Sequence, residues 1–246
     1  MGSKIFFASD FHLGLPAGTV PIEREKRVVR WLESITSEAR ELYLLGDIFD
    51  FWWEYKSVVP KGFTRFLGAV SKISDSGIPV HFFGGNHDMW IGNYLTEECG
   101  MIIHSKPFIT NIDNRVFYMA HGEGFGTRNP GYKVLLALFR NRSLRAIYST
   151  LHPSIGVWLG HKWSYDSRLG KGISLDFMGE EKEELFIYSK KILETEHIDY
   201  FIYGHRHLPM TCKLKEGAII TILGDWVTNG SYAEWDGNEL KLCKID

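Results

Sequence analysis

The sequence has few cysteines and no long apolar segment. Its 246 residues include three cysteines, Cys99, Cys212 and Cys243, an odd number without the CxxC spacing of metal or redox motifs. This pattern indicates a reducing compartment and argues against a disulfide-stapled fold. No stretch approaches the roughly 18 consecutive apolar residues of a membrane-spanning helix, and the N-terminal apolar run is too short for a signal peptide. Together these absences predict a cytoplasmic protein.

An excess of charge of one sign is also missing. The chain has 28 basic and 30 acidic residues, a net charge of −2, so its overall charge gives no indication of nucleic-acid binding. Charged residues make up 24% and hydrophobic residues 44%, which excludes a disordered, collagenous or coiled-coil chain. The length predicts a single domain over residues 1–246 with its own hydrophobic core.

Apolar runs alternate with helical patterns in the first half of the chain. We predict strands at Ile5–Ala8, Leu42–Leu45 and Val80–Phe83, and helices at Glu23–Arg40 and Phe63–Ser74. Alternation of strand and helix is typical of a parallel sheet in an α/β domain.

The second half of the chain has a different pattern. We predict one long helix over Ser174–Glu196 and a strand over Tyr200–Tyr203. Four short strands follow, separated by turn residues: Thr211–Leu214, Ile219–Leu223, Tyr232–Trp235 and Glu239–Cys243. This pattern favours a β-meander, and therefore a sheet stacked on a sheet with the helices outside.

Positive charge is concentrated in residues 124–172. This segment has eight basic residues and one acidic residue, a net charge of +7, whereas the rest of the chain carries −9. It is also rich in apolar residues at helical spacing. A basic and apolar helical insert is typical of an element that binds an interface or an anionic lipid. The alternative is a helical hairpin of the core whose basic side faces water.

Polar side chains with metal-binding chemistry follow five predicted strands. They are Asp10 and His12, then Asp47, then Asn86, His87 and Asp88, then His121 after Val116–Ala120, and finally His205 and His207. Ligands of open α/β sheets bind at the carboxyl ends of strands, so these side chains are expected to converge. Each motif alone fits a turn or a helix cap. Together they predict a metal site, and imidazole with carboxylate suits Mn, Fe, Zn, Co or Ni.

The order of these motifs resembles that of the calcineurin-like metallophosphoesterases over almost the whole chain. The motifs are Asp10-x-His12, Gly46-Asp47-x-x-Asp50, Gly84-Gly85-Asn86-His87-Asp88, His121-Gly122 and Gly204-His205-x-His207. The resemblance implies an α/β fold of four layers, αββα, with two divalent metal ions. It assigns Asp10, His12, Asp47 and His207 to one ion, and Asp47, Asn86, His121 and His205 to the other. His87 and Asp88 are the implied catalytic pair, in which Asp88 orients the ring of His87.

A narrower resemblance is carried by Gly46–Trp52, the insert after His121, Gly131-Tyr132 and the tail Leu223–Ser231. These segments are similar to the pyrophosphatases that cleave UDP-2,3-diacylglucosamine in bacterial lipid A synthesis. The similarity implies Mn²⁺, a helical lid at 124–172 over the acyl chains of a UDP-linked glycolipid substrate, and peripheral contact with the cytoplasmic face of the inner membrane, without nucleic acid or an obligate protein partner. The implied substrate contacts are Asn86, His87, Tyr132, Ser164, Arg168, Lys171 and His205.

One position departs from the narrower pattern, which commonly has arginine where this chain has His87. Asn-His-Asp is the general form of the larger family. It favours a second hypothesis, a metallophosphoesterase that acts on a soluble phosphodiester, a nucleotide or a phosphoprotein. A third hypothesis is an inactive scaffold of the same fold. Inactive scaffolds lose metal ligands, however, and here every ligand position is filled.

Overall fold

Two β-sheets and flanking helices form the computed structural model, which describes residues 2–16, 20–126, 129–169, 176–215 and 217–245, with the backbone alone for 167–169. The strands are β1 (Lys4–Ala8), β2 (Ala39–Leu44), β3 (Val80–Phe83), β4 (Ile102–His104), β5 (Phe108–Ile112), β6 (Arg115–Ala120), β7 (Tyr200–Tyr203), β8 (Met210–Lys213), β9 (Ile219–Ile222), β10 (Ser231–Trp235) and β11 (Leu240–Lys244). The helices are α1 (Pro21–Ile35), α2 (Thr64–Asp75), α3 (Tyr94–Cys99), α4 (Pro130–Arg140), α5 (Arg142–Tyr148), α6 (Pro153–Leu169) and α7 (Glu184–Leu193).

Both sheets combine parallel and antiparallel strands. The first sheet has the order β11-β10-β1-β2-β3-β4, in which β1 to β4 are parallel and β10 and β11 are antiparallel. The second sheet has the order β5-β6-β7-β9-β8, with β6, β7 and β9 parallel. The strands predicted to carry the site are thus neighbours: β1, β2 and β3 in one sheet, and β6 and β7 in the other.

The alternating side chains of β1 explain the layered packing. Phe7 points between the sheets, where its ring stacks on Phe117 of β6 at 6.2 Å. Phe6, one residue earlier, points to the opposite face and packs in the cluster formed with α1 and α2. On the far side, α7 covers the second sheet, because Phe186 packs against Phe201. The predicted α/β fold of four layers is confirmed.

The first predicted helix is too long at its C-terminal end. Helix α1 stops at Ile35, where the hydroxyl of Thr36 donates to the Leu32 carbonyl at 2.6 Å. Arg40, which was predicted to be helical, lies in β2. The pairing of Ala39 with Lys4 of β1 draws this segment into the sheet, and a helical pattern in the local sequence does not reveal that partner.

The predicted long helix at Ser174–Glu196 is also wrong in extent. Residues 174–175 lie outside the described part of the chain, and helix begins only at Glu184. Gly179 has a left-handed φ of 91° and forms a turn before it. The carboxylate of Glu183 accepts hydrogen bonds from the Arg206 guanidinium at 3.1 Å. This tertiary ion pair holds the segment before α7 in a non-helical conformation.

The C-terminal strands do not form the predicted meander. Strands β8 and β9 pair in the second sheet, whereas β10 and β11 form a hairpin in the first sheet. Strand β10 adds antiparallel to β1, with Phe7 opposite Ala233. The short strands β4 and β5 were not predicted. Strand β4 occupies only three residues and lacks a clear apolar alternation.

Helices α4, α5 and α6 come from the basic segment 124–172, and α6 packs against the loop after β2. A Cβ at Gly160 would overlap the ring of Phe51, so the helix lies in direct contact with that ring. Near the end of α4, the indole Nε1 of Trp90 donates to the Phe139 carbonyl at 3.0 Å. The role of this segment as a lid remains a prediction. Among the described residues, no helix has the length and apolar character needed to cross a membrane.

Candidate metal centre

The structure brings six of the seven proposed metal ligands, together with His87, into three overlapping groups. The groups are Asp10, His12 and His207; His12, Asp47 and His87; and Asp47, His121 and His205. Within each group, the ligand atoms lie within 4.8 Å of one another. Asp47 belongs to two groups and His12 to two, so the groups form one continuous cluster at the carboxyl ends of five strands.

Asp47 occupies the middle of this cluster. Its Oδ2 atom lies 3.4 Å from Nε2 of His121, 3.9 Å from Nε2 of His12 and 4.0 Å from Nε2 of His87. Its Oδ1 atom accepts the backbone N–H of His87 at 2.9 Å. One carboxylate therefore faces imidazoles from β1, β3 and β6, and a backbone hydrogen bond fixes its orientation.

Asp10 organises the other end of the cluster. Its Oδ1 atom lies 3.1 Å from Nε2 of His207 and 3.7 Å from Nε2 of His12. Its Oδ2 atom accepts the backbone N–H of His205 at 3.0 Å. Asp10 therefore connects the end of β1 to the end of β7, which belongs to the other sheet.

The electrostatic environment favours ionised carboxylates and a neutral His205. Burial opposes ionisation of Asp47, but the imidazoles of His121 and His87 outweigh it and hold the pKa of Asp47 well below its usual value. Burial also opposes ionisation of Asp10, but the imidazoles of His207 and His12 outweigh it and lower the pKa of that carboxyl. Burial, together with the charge of His121, lowers the pKa of His205 to about 3. Ionised carboxylates and neutral imidazole are the forms that bind metal ions. Although burial opposes it, Asp47 and Asp10 raise the pKa of His121 and His207, so these two imidazoles exchange a proton for a cation when metal binds.

Unpaired buried atoms in the cluster fit a divalent cation. Oδ1 of Asp10, Oδ1 of Asn86 and Nε2 of His121 are buried without hydrogen-bond partners in the described part of the chain. Nδ1 of His121 donates to the Leu45 carbonyl at 2.7 Å, so Nε2 is the ring atom that faces Asp47 and offers a lone pair to a cation once its proton has left. Two lone-pair donors that face the same space are stabilised by a cation between them, so these residues fit a divalent metal site.

The backbone around the cluster is unusual. Among the described residues, eight non-glycine residues have a positive φ, and five of them are proposed ligands: Asp10, His12, Asp47, His205 and His207. A left-handed conformation is costly for such residues and persists where the surrounding fold imposes it. Gly204 helps to make this possible, because a Cβ there would lie 2.6 Å from Oδ2 of Asp10. The sequence spacing gave no indication of this strain.

The predicted contact between Asp88 and His87 is wrong. The two carboxylate oxygens of Asp88 accept backbone N–H groups of Asp47, Ile48, Phe49 and Gly85 at 2.7–3.2 Å. Asp88 therefore braces the loops that carry Asp47 and Asn86. Nδ1 of His87 instead lies 3.0 Å from the carbonyl of Asp50, which can only accept a hydrogen bond. His87 consequently carries a proton on Nδ1 and presents Nε2 to Asp47.

Asp50 joins His87 to helix α6. Its carbonyl accepts from His87, while its Oδ1 atom accepts from the Ser164 hydroxyl at 2.8 Å and its Oδ2 atom lies 3.4 Å from Nδ1 of His161. Sequence reasoning quoted Asp50 in its motif but assigned it no role. The presence of a second carboxylate in Gly46-Asp47-x-x-Asp50 was the feature of the sequence that could have indicated a role for Asp50.

The predicted lid contacts are only partly described. Ser164 is fully buried and faces Asp50. Tyr132 lies on α4, and burial together with the charges of Glu123 and Asp47 raises the pKa of its phenol, which indicates that the phenol is near the cluster. Arg168 belongs to α6, but its side chain is outside the described part of the structure, as is all of Lys171. The roles of these four residues as substrate contacts remain predictions.

An apolar cavity adjoins the cluster on the His87 side. It has a volume of about 390 Å³. Its lining is mostly aromatic and aliphatic: Phe51, Trp53, Trp90, Leu138, Phe139, Leu144, Arg145, Tyr148, Leu159, Gly160 and Trp163. The ring of Trp163 lies 5.4 Å from that of His87, centroid to centroid. The cavity therefore begins beside the metal-binding cluster and extends under helices α4, α5 and α6.

A two-sheet α/β sandwich with clustered His and Asp residues at its strand ends is the architecture of metal-dependent phosphoesterases. The sequence matches the family model of the calcineurin-like phosphoesterases over residues 3–209. The chain belongs to the calcineurin-like phosphoesterase family. It is therefore a hydrolase with a divalent metal site, and the predicted family resemblance is confirmed.

Individual relatives extend this similarity to the whole chain. The UDP-2,3-diacylglucosamine hydrolase of Porphyromonas gingivalis is 40% identical over 259 aligned residues, which cover 100% of this chain and 99% of the relative. The UDP-2,3-diacylglucosamine hydrolase of Escherichia coli K12 is 24% identical over 243 residues, 96% of each chain. A solved phosphoesterase from E. coli is 17% identical with a TM-score of 0.48, over 98% of this chain and 92% of that chain.

Proposed function

We propose that this protein hydrolyses the pyrophosphate of UDP-2,3-diacylglucosamine to UMP and 2,3-diacylglucosamine 1-phosphate in lipid A synthesis. The full-length similarity to hydrolases named for that substrate supports the proposal. The observation that carries it is the apolar cavity beside His87, since a soluble phosphodiester has no acyl chains to fill it. Water attacks one of the two phosphorus atoms, the bond from that atom to the bridging oxygen breaks, and the oxygen leaves with the other phosphate.

We propose two divalent cations, Mn²⁺ in the native enzyme, as the cofactors of this reaction. The first is held by Asp10, His12, Asp47 and His207, and the second by Asp47, Asn86, His121 and His205. The sharing of Asp47 by two of the side-chain groups supports this division. A mixed set of imidazole and carboxylate donors suits Mn²⁺ among the first-row metals.

Bound cations would supply positive charge at the phosphoryl oxygens and lower the pKa of the attacking water. The protein itself positions the remaining groups. The Asp50 carbonyl fixes the ring of His87, whose Nε2 atom lies 4.0 Å from Oδ2 of Asp47. When protonated, Nε2 donates a hydrogen bond to a phosphoryl oxygen as negative charge develops there. The ring of Trp163 limits access of bulk water to His87 on the cavity side.

The acyl chains are proposed to occupy the apolar cavity under α4, α5 and α6. Its volume of about 390 Å³ lies within the range of roughly 300–1,000 Å³ that is usual for ligand sites. The lining contributes one charged group, the Arg145 guanidinium, which lies 6.0 Å from the Trp53 ring. Residues 124–172 act in this proposal as a lid over the chains.

Leu144→Glu is expected to raise KM for the lipid substrate by about tenfold or more, because a carboxylate in the cavity would lose hydration beside the acyl chains. Turnover of bis-p-nitrophenyl phosphate, which has no acyl chain, should change little. Ile109→Glu is the matched control, since Leu144 and Ile109 are 43% and 46% exposed and Ile109 lies on β5, away from the cavity. Equal losses on both substrates would mean that Leu144 only supports the fold.

The exposed face of the same helices is proposed to contact the inner membrane. Ile147, Ile155 and Trp158 are exposed there by 64%, 52% and 59%, and Nζ of Lys162 lies 5.5 Å from the Trp158 ring. Apolar side chains beside cations suit the interface of an anionic bilayer.

Trp158→Ser is expected to weaken binding to phosphatidylglycerol vesicles by about tenfold, because it removes a large apolar group from the interface. Co-sedimentation measures the effect, with Ile109→Ser as the control. Equal sedimentation of wild type and Trp158→Ser would contradict membrane contact through this face. Equal binding of the wild type to neutral phosphatidylcholine vesicles would contradict the preference for an anionic surface.

Incubation of the purified protein with Mn²⁺ and UDP-2,3-diacylglucosamine tests the function directly. We expect release of UMP in a one-to-one ratio with the sugar 1-phosphate. UDP-N-acetylglucosamine, which lacks the acyl chains, should be a much poorer substrate. Hydrolysis of bis-p-nitrophenyl phosphate without release of UMP from the lipid would instead favour a soluble phosphodiester as the substrate.

A further inference from the structure

A second cavity adjoins the metal-binding cluster and shares none of its lining residues with the apolar cavity. It has a volume of about 410 Å³, and His121 forms part of its wall. Unlike the first cavity, it is lined by several polar groups, among them Ser105, Lys106, Glu123 and Arg140. We refer to it as the polar cavity.

One hydrogen bond joins two chain segments that each line both cavities. Nε1 of Trp90 donates to the Phe139 carbonyl at 3.0 Å and joins the loop after β3 to the end of α4. Trp90 and Phe139 line the apolar cavity, whereas their chain neighbours Met89 and Arg140 line the polar cavity. This contact therefore joins residues beside both cavities. The cluster lines the polar cavity directly through His121, whereas it approaches the apolar cavity through Trp163, whose ring lies 5.4 Å from that of His87.

The charges of the polar cavity select for a particular type of ligand. Glu123 is 11% exposed, and its Oε1 atom accepts from Nη2 of Arg140 at 2.8 Å. A carboxylate only accepts hydrogen bonds, so it repels phosphate and favours hydroxyl donors. A carboxylate that accepts from ribose hydroxyls is a common means of nucleotide recognition. Arg140 and Lys106 add positive charge near the opening, where a phosphate would enter.

We propose that the polar cavity binds the ribonucleoside half of the substrate, with the Glu123 carboxylate accepting hydrogen bonds from the ribose hydroxyls. This assignment rests on the proposed function. It places the pyrophosphate across the metal-binding cluster, the acyl chains in the apolar cavity and the nucleoside in the polar cavity. In this arrangement, the hydrogen bond between Trp90 and Phe139 lies between the two halves of the substrate.

Equilibrium binding to the Mn²⁺-loaded protein tests the proposal. UMP should bind about tenfold more tightly than 2′,3′-dideoxy-UMP, because hydrogen bonds from the hydroxyls to a carboxylate are lost in the latter. In Glu123→Gln this preference should fall to about twofold or less, while the affinity for inorganic phosphate is retained. Glu38→Gln is the matched control, because it also removes a glutamate from an ion pair, in which Oε2 of Glu38 lies 2.9 Å from Nζ of Lys4. This variant should keep the full preference.

The outcomes separate this proposal from the proposed function. Equal affinity of the wild type for UMP and its dideoxy analogue would overturn the nucleoside site, whatever the variants do. An undiminished preference in Glu123→Gln would overturn the role of that carboxylate. If UMP is released from the lipid substrate in either case, the proposed function stands and the nucleoside lies elsewhere. If no UMP is released but the ribose preference depends on Glu123, the polar cavity is a nucleotide site in an enzyme of different specificity.

Discussion

Asp47→Ala is expected to lower kcat by about a thousandfold or more and to reduce the bound metal below that of the wild type. Oδ2 of Asp47 lies 3.4 Å from Nε2 of His121 and 3.9 Å from Nε2 of His12, so its loss affects both proposed metal positions. Loss of one electrostatic contact to a developing charge costs about 10²–10³-fold, and in the proposed site two cations would lose a shared ligand. Elemental analysis with turnover measures both effects.

The comparison with His12→Ala makes this expectation specific. His12 belongs to the proposed ligand set of one ion only, so its loss should leave the second position, formed with His121 and His205, intact. We therefore expect a smaller loss of both metal and turnover than for Asp47→Ala. An Asp47→Ala protein with an unchanged metal content and normal turnover would refute the assignment of Asp47 as the shared ligand.

His87→Ala is expected to lower kcat on UDP-2,3-diacylglucosamine by about 10²-fold or more, whereas His87→Arg should retain substantial activity. Nε2 of His87 lies 4.0 Å from Oδ2 of Asp47, and its proposed role with this substrate is to stabilise charge on the phosphoryl oxygens. Arginine offers a permanent positive charge that matches phosphate oxygens, and the nucleotide leaving group needs little protonation.

Alkyl phosphodiesters should respond differently to the same substitutions. Their leaving groups need a proton, and arginine cannot release one near neutral pH. His87→Arg should then lose about 10²–10⁴-fold, as much as His87→Ala. Measurements of kcat on both substrate classes for the wild type and the two variants distinguish the roles. Equal large losses in both variants on the lipid substrate would favour a soluble phosphodiester as the true substrate.

The convergence of the site could be predicted because it depends on local sequence and a general property of parallel sheets. Each ligand motif directly follows a strand, and β1, β2, β3, β6 and β7 were all located from short apolar runs. The two hairpins at the C-terminus could not be assigned in the same way. Whether β10 joins β1 or β9 depends on contacts more than 200 residues apart in the chain, which periodicity does not encode.

Side-chain directions were the least predictable part of the site. Asp88 follows His87 in the sequence, yet its oxygens accept backbone N–H groups of the loop after β2 and of Gly85 in its own loop. Asp50, three residues beyond Asp47, instead provides the contact that orients His87. Glu123 and Trp163 were likewise not singled out, since their significance comes from the cavities that they line rather than from any motif.

Because five proposed ligands have a left-handed backbone, substitutions that raise thermal stability at these positions would lower activity. At Asp10, His12, Asp47, His205 and His207, a non-glycine residue with positive φ costs about 1–2 kcal/mol relative to glycine, which adopts this conformation freely. Glycine at these positions would relieve the strain and remove the ligands together. Directed evolution for thermal tolerance alone would therefore favour loss of catalysis, and a selection on this enzyme has to score turnover in every round.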